Sequence, residues 1–498
     1  MSSARIRNTP EELRKHIDPQ ALDHYAPMSG EMVDIVQVDA QDLVTHERLD
    51  IVIRYLFVDS TLSYTVPCHF GQRLYWMYLY YGGRKYDRYF IDLDGRKHNF
   101  QDYFFNFCQI VDDMRRGRFD FGREAVAISA GMALGGAHRL AAAAMLQREI
   151  RAVELVGDKG QNRCDYKALQ RMGFPPRDID FVVYKYMELK GNCHILYVFP
   201  EGISQLDAVR TTVQAFADII YEKSILLTEQ GVNEIIKLCY GHNVWWQDSL
   251  INKFRTERFL DKGGLQVFVI HLRDDPDCTR LKAEVRKLSR DGSGTGIIHS
   301  TDSFSEAISS AQTLLNDNSL YFLNHRRRTR DVSLDQKLAV YRDRIAATGR
   351  PHLYAIDTGA VMGLFGLREI NDIDYLCAHV QDPVVQDDIC SLHNDDYLAF
   401  GLNPFELVMD PTNHFYYNGM KVLTLDAVMR FKARRSSAKD IKDLDTVRRF
   451  ISMDSTLAFQ LRSRKHAARL QRSMKSLEKA LKQTTLVRFI RRKLGKKV

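Results

Sequence analysis

The sequence predicts a multidomain α/β protein, and three observations point that way. At 498 residues the chain exceeds what one hydrophobic core organises, and the length favours about three domains. The composition is 45% hydrophobic and 27% charged with 12 prolines, which fills globular cores and excludes disordered or collagen-like classes. Twice, at 117–156 and again from Pro351, short apolar runs, turn glycines and helix-period segments follow one another as strand, turn, helix, strand.

Taken in order, residues 1–40 read as a polar lead-in, 41–200 as a first α/β domain, 201–330 as a middle α/β region, 331–455 as a further α/β domain and 456–498 as a basic helical tail. In the first domain, Asp42 to Phe57 has helical spacing, Tyr75 to Tyr81 is a core aromatic cluster, and Asp102 to Arg116 is a helix. Val126-Ala127-Ile128 is a strand, Gly131 and Met132 turn, Gly135 to Arg139 opens a helix from Leu140 to Leu146, and a strand follows over Ile150 to Val156. The middle region reads as strand Ile195 to Phe199, long helix Leu206 to Tyr221 and strand Gln266 to Leu272, which predicts a parallel sheet. A strand from Gly296 to His299 then meets a helix from Ser305 to Leu315, with Asp302 or Ser303 as N-cap, and Arg326, Arg327, Arg328 and Arg330 form a solvated linker.

Eight cysteines without CxxC or zinc spacing indicate reduced thiols. No stretch is long and apolar enough to span a membrane, and Met1 to His16 lacks a signal-peptide core, so the expectation is a cytoplasmic protein. Lys and Arg number 71 against 63 Asp and Glu, a net +8, yet residues 461–498 carry 14 Lys and Arg against the single Glu478. The tail is therefore +13 and the rest −5, which argues against a body built to lie along nucleic acid. In the tail, Leu477, Leu481, Leu486, Phe489, Ile490 and Leu494 recur among basic residues. That basic amphipathic pattern suits an anionic membrane surface, or a solvated helix docked by one face, or RNA.

The first chemical motif is Gly135-Gly136-Ala137-His138-Arg139. Two glycines allow close backbone approach, and the open N–H groups of a helix start, with His138 and Arg139, suit a phosphate group. The order of elements over residues 110–200 resembles the fold shared by ParB partition proteins and sulfiredoxin. Gly135 stands where the ParB-like kinase pattern has aspartate, and Ala137 where sulfiredoxin has its reactive cysteine, so sulfinic-acid reduction is excluded. The resemblance implies nucleotide-phosphate binding by Gly135, Gly136, His138 and Arg139.

The second motif starts with strand Leu353 to Ile356, continues through Thr358-Gly359-Ala360, a short helix and Arg368, and reaches Asp372-Ile373-Asp374 on another strand. Alternation puts Asp372 and Asp374 on one face, where divalent ions about 3.5–4 Å apart could be held. The spacing resembles the nucleotidyltransferase fold of the DNA polymerase beta superfamily, although the usual serine beside Gly359 is absent and Thr358 is its substitute. The resemblance implies Mg²⁺ or Mn²⁺ on Asp372 and Asp374, a triphosphate (ATP, CTP or another NTP) against Gly359, Thr358 and Arg368, and a third catalytic carboxylate. Asp410, ending a strand Phe405 to Met409, is assigned that third place. Downstream, a turn at Asn418-Gly419, a strand and a basic helix resemble the C-terminal half of nucleotidyltransferase-like proteins of bacterial surface-polysaccharide gene clusters.

These readings combine into an expected Mg-dependent phosphoryl- or nucleotidyl-transferase acting on a sugar- or polyol-type acceptor in envelope polysaccharide assembly. It would be cytoplasmic and possess a tail able to reach the inner membrane face. The alternative is a ParB-like regulatory or DNA-associated nucleotide-binding protein with a degenerate nucleotidyltransferase domain, and a third option is a nucleotidylating effector with a different acceptor.

Overall fold

The computed structural model describes residues 6–8, 33–62, 69–84, 89–90, 97–119, 125–155, 162–241, 243–260, 262–273, 278–289, 296–327, 332–379 and 387–452. The basic tail, most of the polar lead-in, and Arg328 and Arg330 lie outside them. The chain divides into two compact units, Met1–Val428 and Met429–Val498. The architecture is mixed α/β with several sheets, as the sequence predicts.

The first sheet of the larger unit joins β1 (Ile6–Asn8), β2 (Val33–Asp39), β3 (Val126–Ser129), β4 (Met132–Ala133) and β5 (Glu149–Glu154) in the order β1-β2-β5-β3-β4. Within the polar lead-in, β2 pairs antiparallel with β5, from Ile35 opposite Val153 to Asp39 opposite Glu149, so this part of it belongs to the first sheet. β3 and β4 form a hairpin that turns at Ala130 and Gly131, both at positive φ, rather than at Met132. The helix Ala137–Met145 then crosses back to β5, parallel to β3, with Leu140 to Ala144 buried. Small alanines let it lie close against the helix Leu49–Leu62, which also packs on the helix His69–Arg84. The aromatic run predicted as core is core on one side: Tyr75 is fully buried between Phe57 and Phe107.

The second sheet contains β6 (Cys193–Val198), β7 (Ala217–Leu226), β8 (Gly264–Leu272) and β9 (Ile298–Ser300) in the order β7-β8-β6-β9, and every pairing is antiparallel. This overturns the predicted parallel sheet and the long helix Leu206 to Tyr221. The helix stops at Phe216, and Ala217–Leu226 is a strand paired along β8. Val209, Val213, Ala217 and Ile220 keep a helical spacing across the boundary, which disguises the change of period. What decides it is tertiary: in the strand, Tyr221 Oη and Lys223 Nζ both reach the fully buried Asp180 at 2.7 Å. Ser303, not Asp302, caps the helix Phe304–Leu314 by accepting from Glu306 N.

The third sheet is built from β10 (Tyr354–Ile356), β11 (Ile373–Cys377), β12 (Cys390–Leu392), β13 (His414–Tyr417) and β14 (Met420–Leu423) in the order β12-β11-β10-β14-β13. β10 runs antiparallel to β11 and parallel to β14, and β11 parallel to β12. The β13–β14 hairpin closes on Asn418 and Gly419, both at positive φ, as an Asn-Gly pair between strands requires. The expected strand Phe405 to Met409 is instead the helix Pro404–Met409, started by Asn403 Oδ1 accepting from Phe405 N and by proline in the first turn.

In the smaller unit, the helix Ala438–Ser452 follows the end of the helix Leu425–Arg435. Asp440, fully buried, accepts from Lys432 Nζ at 3.1 Å and Arg435 Nη2 at 2.8 Å, and Lys432 also reaches Asp443 at 2.8 Å. These acids thus pair with the preceding helix rather than within their own. Among the described residues, Cys108, Cys164, Cys193, Cys239, Cys278, Cys377 and Cys390 are free thiols, all but Cys108 buried, and no helix is long and apolar enough to cross a membrane.

Candidate functional site

The strand ends of the third sheet bring together three side chains that are far apart in sequence. Asp357 follows β10 and precedes the helix Thr358–Leu364, Asp374 is the second residue of β11, and His393 follows β12. Backbone bonds fix the frame: Asp357 N donates to Asp374 O at 2.8 Å, and His393 N to Tyr375 O at 3.0 Å. His393 Nε2 lies 3.0 Å from Asp374 Oδ1 and its Nδ1 3.5 Å from Asp357 Oδ2. One ligating atom from each of the three residues falls within 4.8 Å of the others.

The electrostatics follow from burial. Asp357 has no exposed surface, and burial pushes its carboxyl up while His393 and the Thr358 hydroxyl oppose the shift. For His393 burial favours the neutral ring, but the hydrogen bonds and charges of Asp357 and Asp374 outweigh it and raise the pKa to about 10. Asp357 Oδ2 and His393 Nδ1 are both buried, and among the described residues their one polar contact is each other, a long approach of 3.5 Å. A carboxylate oxygen so loosely met at full burial is costly unless a cation completes it.

Thr358 binds the pair together. Its hydroxyl lies 2.6 Å from Asp374 Oδ2 and 3.1 Å from Asp357 Oδ1, from a backbone at φ +36° that a β-branched residue rarely adopts. The expectation that Thr358 contacts phosphate is corrected: the side chain is 3% exposed and its proton is committed to the carboxylates. Gly359 is half-buried beside Arg368, whose guanidinium would lie 3.9 Å from a Cβ there, so these two predicted residues do meet.

The predicted pair Asp372 and Asp374 is not what the fold assembles. Asp372 precedes β11 on an exposed turn, and the cluster is completed by Asp357 and His393. Asp410 ends a helix, is nearly buried, and accepts from Thr412 N at 2.9 Å and Thr412 Oγ1 at 2.7 Å, which makes it a turn-forming residue. Asp357 was readable as a carboxylate between a strand and Thr358-Gly359; His393 carries no local signal.

The Gly-Gly motif opens a separate cavity of about 540 Å³ lined by Lys97, Gln109, Asp113, Arg118 and residues Gly136 to Arg139, among others. That volume suits a mononucleotide-sized ligand. Gly136 caps the helix Ala137–Met145 in the left-handed region at φ +65°, and a Cβ would lie 3.1 Å from Val126 Cγ2, so any side chain there is strained. Gly135 meets no such restriction. His138 is enclosed by Tyr75, Tyr103 and Phe107. Its pKa is pushed well below the usual value by burial and then by Arg54, Lys97 and Arg139, which favours the neutral ring. The cationic groups of the cavity wall are Lys97, Arg118 and Arg139, with Arg118 paired to Asp112 and Asp113.

No protein-family model matches the chain, and no curated protein matches it.

Proposed function

We propose that this chain is a divalent-metal-dependent phosphoryl- or nucleotidyl-transferase whose metal is held by Asp357 and Asp374. The observation that carries the reading is the convergence of the fully buried Asp357, whose Oδ2 is met only at 3.5 Å by His393, with a second carboxylate and the imidazole within 4.8 Å. Two carboxylates suit Mg²⁺ or Mn²⁺, and the nitrogen of His393 favours Mn²⁺ of the two. When bound, such an ion would neutralise charge developing on a transferred phosphoryl group. Thr358 orients both carboxylates, and Arg368 beside Gly359 supplies a guanidinium for an anionic substrate. The cavity at Gly136, His138 and Arg139 binds nucleotide phosphate. The acceptor class, a sugar or polyol, and the placement at an anionic membrane surface through the basic segment 461–498 are supported by the sequence pattern alone.

A second reading has its own support. A protonated His393 bridging Asp357 and Asp374 puts an imidazolium where a metal would bind, as in a regulatory protein that retains the nucleotidyltransferase frame without turnover. Calorimetric titration with Mn²⁺ at pH 8, followed by NTP, separates the two. Stoichiometric Mn²⁺ binding that strengthens NTP binding and is lost in Asp374→Asn supports the enzyme; NTP binding indifferent to Mn²⁺ supports the regulator.

A further inference from the structure

A histidine facing a ligand is a donor or an acceptor according to which ring nitrogen carries the proton, and the partner of the other nitrogen decides that. Behind His138 the partner is unusual. Arg54 Nε lies 3.4 Å from His138 Nε2, and the Tyr75 hydroxyl lies 2.7 Å from the same atom.

A guanidinium has donors only. Were Nε2 protonated, its N–H could donate to the Tyr75 oxygen, but the Arg54 N–H would then be aimed at a nitrogen with no free lone pair. A bare Nε2 accepts from Arg54 and Tyr75 together. The ring proton then resides on Nδ1, which has no hydrogen-bond partner among the described residues and belongs to a side chain lining the cavity.

Arg54 is itself locked in place. Its Nη1 donates to Asp50 Oδ2 at 2.8 Å and to Asp50 O at 2.9 Å, and Arg48 grips the same carboxylate through Nε at 2.8 Å and Nη2 at 3.0 Å. Arg48, Asp50 and Arg54 are 5%, 2% and 7% exposed. Two guanidiniums share one carboxylate, so a net positive charge is buried behind the ring, with Arg54 also 4.7 Å from the centre of the Tyr78 ring. That charge opposes an imidazolium and favours an anion in front of it.

We propose that Arg54 is a positioning residue that holds His138 as a neutral imidazole protonated on Nδ1, so that the ring offers an anionic ligand in the cavity a donor and no acceptor. The ligand part rests on the phosphate-binding reading of the cavity; the tautomer does not.

Two-bond ¹H–¹⁵N spectra of histidine-labelled protein, with the His138 signals assigned by their loss in His138→Gln, read the tautomer directly. The expected wild-type ring is protonated on Nδ1 and bare on Nε2. Arg54→Lys, which keeps a cationic donor, should preserve that state, whereas Arg54→Gln, able to accept, should populate the other tautomer. Calorimetry with inorganic phosphate should show affinity about tenfold lower in Arg54→Gln and nearly unchanged in Arg54→Lys. A wild-type ring protonated on Nε2 or on both nitrogens overturns the proposal, as does a folded Arg54→Gln protein with an unchanged tautomer. If Arg54→Gln does not fold, the wild-type spectrum and Tyr75→Phe, which removes the other donor without changing charge, still decide it. The expected tautomer in a wild-type protein that binds no phosphate would refute the anion-binding reading while upholding the role of Arg54 on His138.

Discussion

Thr358 delivers its hydroxyl to Asp374 Oδ2 at 2.6 Å from a left-handed backbone of φ +36°. The conformation costs about 1–3 kcal/mol, and a hydrogen bond to a charged carboxylate contributes about 1.5–3 kcal/mol. The two offset one another, so the residue is retained for where it puts a proton donor.

A pair of substitutions separates those two quantities. Thr358→Gly loses the bond but relieves the backbone and should stay within about 1 kcal/mol of wild type, whereas Thr358→Ala loses the bond and keeps the strain, at a cost of about 2 kcal/mol. Denaturant unfolding should rank wild type and the glycine variant above the alanine variant; an alanine variant as stable as wild type would show that the hydroxyl contributes nothing.

His393 gives the metal-free protein a pH signature. Its folded pKa of about 10 lies above the usual 6.5, so the stabilisation is complete below pH 6.5 and is lost as pH rises through about 10. In EDTA, thermal unfolding should shift downward from pH 7 to pH 10, and His393→Gln should flatten that slope. Because the ring must lose its proton to ligate, Mn²⁺ affinity should climb by up to about tenfold per pH unit over the same range. Mn²⁺ binding independent of pH there would exclude His393 as a ligand.

The identity of the carboxylate pair is tested by contrast. Asp357→Asn and Asp374→Asn should each weaken Mn²⁺ binding by about 100-fold, while Asp372→Asn, on its exposed turn, should change it less than about threefold. Loss of binding in Asp372→Asn with retention in Asp357→Asn would restore the Asp372–Asp374 pair read from the sequence.

At the other cavity the two glycines should behave differently. Gly136→Ala meets both φ +65° and Val126 at 3.1 Å and should cost about 1–3 kcal/mol along with phosphate affinity, whereas Gly135→Ala has open space and should be nearly silent. Equal effects in calorimetry and thermal unfolding would mean that helix-start geometry is not what the motif provides.

Local features were the legible ones. The Asn418-Gly419 hairpin, the Ser303 cap region and the strand, turn and helix around Gly136 depend on neighbours in sequence, and the structure has them. What escaped depends on distant pairing. β7 keeps a helix-compatible apolar spacing and becomes a strand because β8 and the buried Asp180 are there to meet it. Asp357 sits where an N-cap aspartate would, yet its side chain makes no cap bond to the helix, and its role emerges only when β11 and β12 bring Asp374 and His393 alongside. Alternation correctly put Asp374 on a strand, but β11 starts at Ile373, which leaves Asp372 outside the paired region.

The pairing of β2 with β5 has a consequence for how the chain is made. Ile35 emerges during synthesis roughly 120 residues before its partner Val153, a wait of about 6–24 s at ordinary elongation rates. Throughout that interval the segment VDIVQVD has only the three-residue β1 to pair with, and its β5 edge is open. Gln37 and Asp39, two apart and both exposed, keep one face of that strand polar at its C-terminal end, a guard against pairing with a neighbouring nascent chain on the same message.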